Sequence, residues 1–240
     1  MASFLRPFEG WWLGMRNTVL LLASGALVVL LAAGVALAAV VNCVAGADEC
    51  VGTNNPDTLN GSEVGDSMEG RSGDDRLYGN AGPDDFDGGR HEDTIRGGEG
   101  EDFVSYDLAG EDKIYGDGGQ DFLVDDSQRC APSGDCVGDR NLLVGGEGGD
   151  YLQGHNRLYG GPGNDEVYGV YFYGGSRVMS GGSGTDVISS QGRVADTIYA
   201  QHGERDEVSC GPKTDKVYYD AGIDSVDSGN CERRIAQPPR

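Results

Sequence analysis

Residues 88–105 read Gly88-Gly89-Arg90-His91-Glu92-Asp93-Thr94-Ile95-Arg96, then Gly97-Gly98-Glu99-Gly100-Glu101-Asp102-Phe103-Val104-Ser105. The two nonapeptides share a leading glycine pair, an aspartate in the sixth place and an apolar residue two places later. A fixed self-similarity of this kind marks a repeat architecture. Upstream and downstream the same phase holds. Asp57, Asp66, Asp75, Asp84, Asp93 and Asp102 stand nine residues apart, and Asp112, Asp121, Asp150, Asp165, Asp186, Asp196, Asp206, Asp215 and Asp224 continue the series with insertions. The residue two places after each of these 15 aspartates is apolar, from Leu59 and Met68 to Val217 and Val226. Asn141 and Leu143 fill the same two places with an amide in the acidic slot. A disordered acidic polymer has no reason to keep the apolar place in phase.

Composition narrows the function classes. Of 240 residues, 40 are Asp or Glu and 18 Lys or Arg, so the net charge is −22; 42 residues are glycine, and only 6 Phe and 2 Trp are present. Nucleic acid is excluded as a partner, because a phosphate backbone needs a basic face, and docking of the acidic part on an anionic membrane is excluded likewise. Either a cation neutralises the aspartates and lets the chain fold, or the chain stays a solvated polymer.

The pattern resembles the hemolysin-type calcium-binding repeat, the nonapeptide G-G-x-G-x-D-x-U-x of RTX proteins. The resemblance is close over residues 52–189 and looser over 190–227. It implies an all-β, right-handed parallel β-roll, two units per coil, with calcium ions between turns. Six residues form a turn, and the last three form a short strand whose middle side chain points inward. Aspartate suits calcium because its oxygens are hard ligands. The implied metal-site residues are Asp57, Asp66, Asp75, Asp84, Asp93, Asp102, Asp112, Asp121, Asp150, Asp165 and Asp186, with the turn glycines Gly88, Gly97, Gly116, Gly145, Gly160 and Gly181. Each ion would sit between turns one coil apart, pairing Asp57 with Asp75, Asp66 with Asp84, Asp75 with Asp93, and Asp84 with Asp102.

Departures from the pattern qualify individual turns. Pro56 stands in the first turn and Gly65 lies one place late in the second, which makes both poor sites. Tyr106 is an insertion, residues 125–140 interrupt the array, 154–159 is a shortened unit, and Ser176 is read as standing where an aspartate belongs. After residue 190 the double glycines vanish. The expected organisation is therefore an N-terminal cap (39–51), calcium-binding repeats (52–189), degenerate repeats with a C-terminal cap (190–232) and a disordered tail (233–240).

Residues 18–41 are uncharged and apolar, long enough to cross a bilayer. Ala36-Leu37-Ala38 is a small-x-small cleavage signature, so residues 1–38 read as a signal peptide, with a true start at Met15 considered. Retention would make the segment an anchor, holding the protein on the outer face of the cytoplasmic membrane; cleavage would make it secreted and extracellular. The six cysteines fall as Cys43 and Cys50, Cys130 and Cys136, Cys210 and Cys231, and an even count in an exported chain predicts disulfides, with neighbour pairing preferred. Zinc is disfavoured, since no C-x-x-C occurs.

The sequence holds no H-E-x-x-H, no G-x-S-x-G and no phosphate-binding loop. The expected protein is accordingly not an enzyme but a calcium-folded structural, adhesive or ion-buffering surface component. An extracellular protein or glycan is a possible but unidentified partner. The alternative is a carbohydrate-acting enzyme or calcium-dependent carbohydrate-binding module on a parallel β-coil, whose mark would be a tyrosine cluster such as Tyr171, Tyr173, Tyr218 and Tyr219.

Overall fold

The computed structural model describes residues 38–45, 49–104, 110–125, 140–170, 176–191, 194–202, 204–227 and 229–237. Residues 1–37 of the expected signal or anchor segment, the Cys130–Cys136 pair and the tyrosines Tyr171 and Tyr173 lie outside these. The described chain is a run of short strands: β1 (Val40–Asn42), β2 (Cys50–Val51), β3 (Thr58–Asn60), β4 (Ser67–Glu69), β5 (Arg76–Ala81), β6 (Asp85–Asp87), β7 (Thr94–Glu99), β8 (Phe103–Val104), β9 (Lys113–Gly118), β10 (Phe122–Val124), β11 (Leu142–Glu147), β12 (Tyr151–Gly154), β13 (Arg157–Pro162), β14 (Glu166–Gly169), β15 (Val178–Ser183), β16 (Val187–Ser190), β17 (Thr197–Ala200), β18 (Glu207–Ser209), β19 (Lys216–Asp220), β20 (Ser225–Val226) and β21 (Arg233–Gln237). Odd-numbered strands form one 11-stranded sheet and even-numbered strands a 10-stranded one, each in sequence order. Every pairing is parallel. The chain is therefore a β-solenoid whose coils alternate between two facing sheets, the roll the repeat implies.

The apolar slot builds the core. Leu59 lies beside Leu77, and Leu77 beside Ile95, in the odd sheet; Met68 lies beside Phe86, and Phe86 beside Val104, in the even sheet. These residues are 0–2 % exposed. Burying each such side chain is worth about 1.5–3 kcal/mol, and the two columns run the length of the solenoid as one cluster. Disulfides Cys43–Cys50 and Cys210–Cys231 join neighbours in sequence at its two ends.

The two edges of the roll differ. Turns leaving the odd sheet keep a six-residue length from 61–66 to 181–186, whereas the connections 105–112, 125–141 and 170–177 all leave the even sheet. On the regular edge the ladder extends into the turns: β5, β7, β9, β11, β13 and β15 are six residues long, and Asn80 pairs with Gly98, and Gly98 with Asp117, beyond the apolar strand. The sequence predicts three-residue strands throughout; stacking of identical turns lets their own amides pair. At the C-terminus, Arg233–Gln237 pairs with β19, so the tail expected to be disordered from 233 begins with a strand. At the N-terminus, Val40 and Val41, the last two residues of the 18–41 apolar run, belong to β1.

Candidate metal centre

Each slot aspartate from Asp57 to Asp215 is buried and caps the coil below. The Asp66 N–H donates to Oδ1 of Asp84 at 2.7 Å, Asp84 to Asp102 at 2.9 Å, Asp102 to Asp121 at 3.0 Å, and the ladder continues through Asp150, Asp165, Asp186 and Asp206 to Asp224 on the regular edge. On the other edge Asp57 donates to Asp75, Asp75 to Asp93, Asp93 to Asp112, and Asp112 to the amide oxygen of Asn141. The expected one-coil pairs are thus neighbours along both edges. This ladder satisfies one oxygen per carboxylate and anchors each turn to the next.

The second oxygens divide the turns into classes. Oδ2 of Asp75, Asp84, Asp93, Asp102, Asp121, Asp150, Asp165 and Asp186 is buried without a hydrogen-bond partner. Among the described residues, the turns ending at these eight are the ones with a positive φ at both their second and fourth places, as in Gly146 (+123°) and Gly148 (+139°) before Asp150. The geometry is strong enough to impose itself on residues with side chains: Arg71, Asn80 and Asp117 take it at the second place and His91 at the fourth. In the turns before Asp57 and Asp66 neither place has it. There Thr53 N–H and Ser62 N–H point inward and donate to Oδ2, at 2.5 and 2.6 Å. Those two carboxylates are satisfied by the protein itself. Asp215 also has a buried Oδ2, in a turn without the positive-φ pair and with the Gly211 backbone N–H beside the carboxylate.

Six of the eight unpartnered oxygens lie beside a carbonyl of the next coil. A methyl group placed on Gly97 would overlap Asp102 Oδ2 and stand 2.7 Å from the carbonyl oxygen of Gly116 in the next coil. The same construction brings Asp75 Oδ2 to the carbonyl of Gly88, Asp84 to Gly97, Asp121 to Gly145, Asp150 to Gly160, and Asp165 to Gly181. All six glycines named from sequence therefore meet an aspartate oxygen of the coil before. The gap is oxygen-lined and stays open only because the first turn residue lacks a Cβ. Among the described residues no three His, Cys, Asp or Glu side chains converge, so a cation here would take most of its ligands from the backbone.

Burial without a counter-charge raises these acids. Desolvation, only partly offset by the N–H donated from the coil below and reinforced by neighbouring carboxylates, pushes Asp84, Asp121 and Asp165 to about 7 and Asp93 to about 8. Asp75 and Asp102 rise to about 6. Such groups favour any cation that can reach them.

One slot solves the problem differently. Counting back two places from the buried Met179 gives Arg177, not Ser176, and the structure puts Arg177 in the ladder: its N–H donates to Oδ1 of Asp196 at 2.8 Å. The guanidinium folds inward to the same carboxylate, Nη2 lying 2.9 Å from Oδ2, and Nη1 donates to the Val170 carbonyl. Ser190 Oγ also donates to Asp196 Oδ2. Arg177 is 2 % exposed. A side-chain cation neutralises this site, and the apolar phase, rather than the glycine pair, is the sequence signal that reveals it.

The RTX calcium-binding nonapeptide repeat family matches residues 51–85, 69–104, 106–124, 138–165 and 153–169. A comparison with curated proteins finds no match. The turn ending at Asp186 lies beyond the matched residues yet has the same backbone and the same unpartnered oxygen. With its coil register, buried aspartate ladder and matched repeats, the chain carries RTX calcium-binding nonapeptide repeats within residues 51–169.

Proposed function

We propose that the eight turns ending at Asp75, Asp84, Asp93, Asp102, Asp121, Asp150, Asp165 and Asp186 hold calcium ions, and that these ions complete the fold. The observation that carries this is the coincidence, turn by turn, of an unpartnered buried carboxylate oxygen with the paired positive-φ backbone. Asp57 and Asp66, named from sequence, are the weakest of the set, because backbone N–H groups already occupy their second oxygens. Asp112 keeps its place in the ladder. A bound calcium would supply the positive charge the buried acids lack and accept the inward carbonyls as ligands, which its tolerance for six to eight oxygens permits.

Binding to the folded state alone stabilises it by about 2.7 kcal/mol per site at a hundredfold excess over Kd. Extracellular calcium modules bind at about 10⁻⁴–10⁻³ M. Such a chain is least stable where calcium is scarce and is held in its coils where it is plentiful, which suits an exported structural, adhesive or ion-buffering surface component. The disulfides support an oxidising destination. Far-UV circular dichroism of the chain titrated with calcium and, separately, with magnesium tests the reading. A β signal gained in calcium and not in matched magnesium is expected, since magnesium demands near-octahedral geometry and releases water reluctantly. An equal gain in both would reduce the aspartates to a diffuse charge cloud.

A further inference from the structure

The two outer faces of the roll carry opposite charge. On the odd sheet the outward residues of the eleven strands run from Val40, Thr58, Arg76, Thr94, Lys113 and Leu142 to Lys216 and Arg233 in one row; the other holds Tyr78, Arg96, Tyr115, Tyr159, Tyr199 and Tyr218. In a chain with 40 acidic residues, none of these 22 positions is acidic and six are Lys or Arg; the accessible acids of the same strands, Glu99, Asp117 and Glu147, stand toward the turns, beyond the two rows. On the even sheet no outward strand residue is basic, while Glu69, Asp85, Asp87, Glu166 and Glu207 are acidic. Of the six cations on the odd face, Arg96 alone has a carboxylate within reach among the described residues, Asp117 at 3.0 Å. Rings support two of them: Arg96 lies 4.7 Å over Tyr115 and Lys216 lies 4.4 Å over Tyr218. The even face adds a stack of Phe103, Phe122 and Tyr151, with centroids 5.0 and 4.7 Å apart; Phe103 is 40 % and Phe122 37 % exposed.

We infer that the protein associates side by side with further copies of itself, the basic odd face of one copy against the acidic even face of the next. Both faces are made by the same coils, so they share one axial period, about 4.7–4.9 Å per strand. In an unshifted neighbour, the coil carrying Arg76 meets the coil carrying Asp85 and Asp87, and the coil carrying Arg157 meets that carrying Glu166. Leu142, Val144 and Val178, half-buried on the odd face, give the even-face rings an apolar counterpart. Because the two patches are different, the contact is heterologous and does not close on itself, which makes open rows. A three-residue-wide strip over ten strand spacings buries on the order of 1,000 Å² in total, the lower limit for a specific interface, so the contact is weak and steered by charge. A duplex nucleic acid, with one charge per about 1.7 Å, matches this sparse row of cations poorly. The inference uses only the folded roll and does not rest on which turns hold metal.

The test is sedimentation velocity of the full chain in millimolar calcium, with a mild detergent covering the apolar N-terminal run and circular dichroism read in parallel to verify folding. Concentration-dependent assembly is expected at low salt, with dissociation to monomer at about 0.5 M salt. Arg76→Glu with Arg157→Glu, and Asp85→Lys with Glu166→Lys, should each fold yet remain monomeric, and an equimolar mixture of the two should regain association. Should the second double variant fail to fold, the first decides by itself. A wild-type chain monomeric at every salt concentration, or an Arg76→Glu/Arg157→Glu chain that assembles like wild type, overturns the inference. So does a monomer that binds an acidic polysaccharide through these arginines without self-association.

Discussion

Arg177 and Asp196, 19 residues apart in sequence, form a fully buried ion pair one coil apart, the guanidinium filling the position that faces a slot carboxylate. At this point the roll is neutralised by its own side chain. Removing one partner of a buried pair leaves an uncompensated charge and costs about 3–5 kcal/mol. Arg177→Ala should therefore lower the stability of the chain by that amount in urea denaturation, and Arg177→Ala with Asp196→Ala should recover part of the loss. A single variant as stable as wild type would show that the pair does not neutralise this site.

Asparagine separates the two jobs of a slot aspartate, since it keeps the Oδ1 acceptor of the ladder and loses the charge. Asp84→Asn should shift the midpoint of a calcium titration to higher concentration and lower the stoichiometry found by calorimetry. Asp66→Asn should do neither, because Ser62 N–H already occupies its Oδ2. Equal effects would contradict the division of the turns.

The raised acids set a pH dependence. Their folded values, about 6 to 8 for Asp75, Asp84, Asp93, Asp102, Asp121 and Asp165, exceed the unfolded value of 3.8. The calcium-free fold therefore binds more protons than the unfolded chain between about pH 4 and 8, and its stability falls as pH rises through that window. In chelator, Tm should be higher at pH 5 than at pH 8. Calcium should bind less tightly at pH 6 than at pH 8, as protons compete for the same oxygens. A calcium-free Tm that rises with pH would reverse the sign and refute the cause.

Steric demand at the turns can be separated from backbone strain. Gly148 has φ +139° and a methyl group there would overlap the carbonyl oxygen of Gly119; Gly222 has φ +85° and nothing within 4 Å. Gly222→Ala should cost about 1–2 kcal/mol, the strain of a left-handed residue. Gly148→Ala should cost more, because two coils must also move apart. Urea denaturation in calcium compares them, and equal costs would mean that the turns are not closely stacked.

The phase of aspartate and apolar residue, legible in one pass along the chain, determined the parallel coil, the two core columns and the one-coil spacing of Asp66 and Asp84. A period of nine leaves a single arrangement in which every apolar side chain is inside, and the hydrophobic effect selects it. The sequence also marked the first two turns as departures from the pattern, through Pro56 and Gly65. It did not show why those turns differ, because Asp57 and Asp150 are the same residue; only the backbone decides whether an N–H or a carbonyl faces the carboxylate. Arg71, Asn80, His91 and Asp117 carry no sign of the positive φ that stacking forces on them. The glycine pair points to Ser176 for this slot, whereas the register puts Arg177 there, beside Asp196. The segregation of Arg76, Lys113 and Arg157 from Asp85 and Glu166 likewise becomes visible only when alternate strands are sorted into two sheets. Sequence determines which residues share a column, since that follows from periodicity. Tertiary structure decides what each column faces, since that depends on groups many residues away.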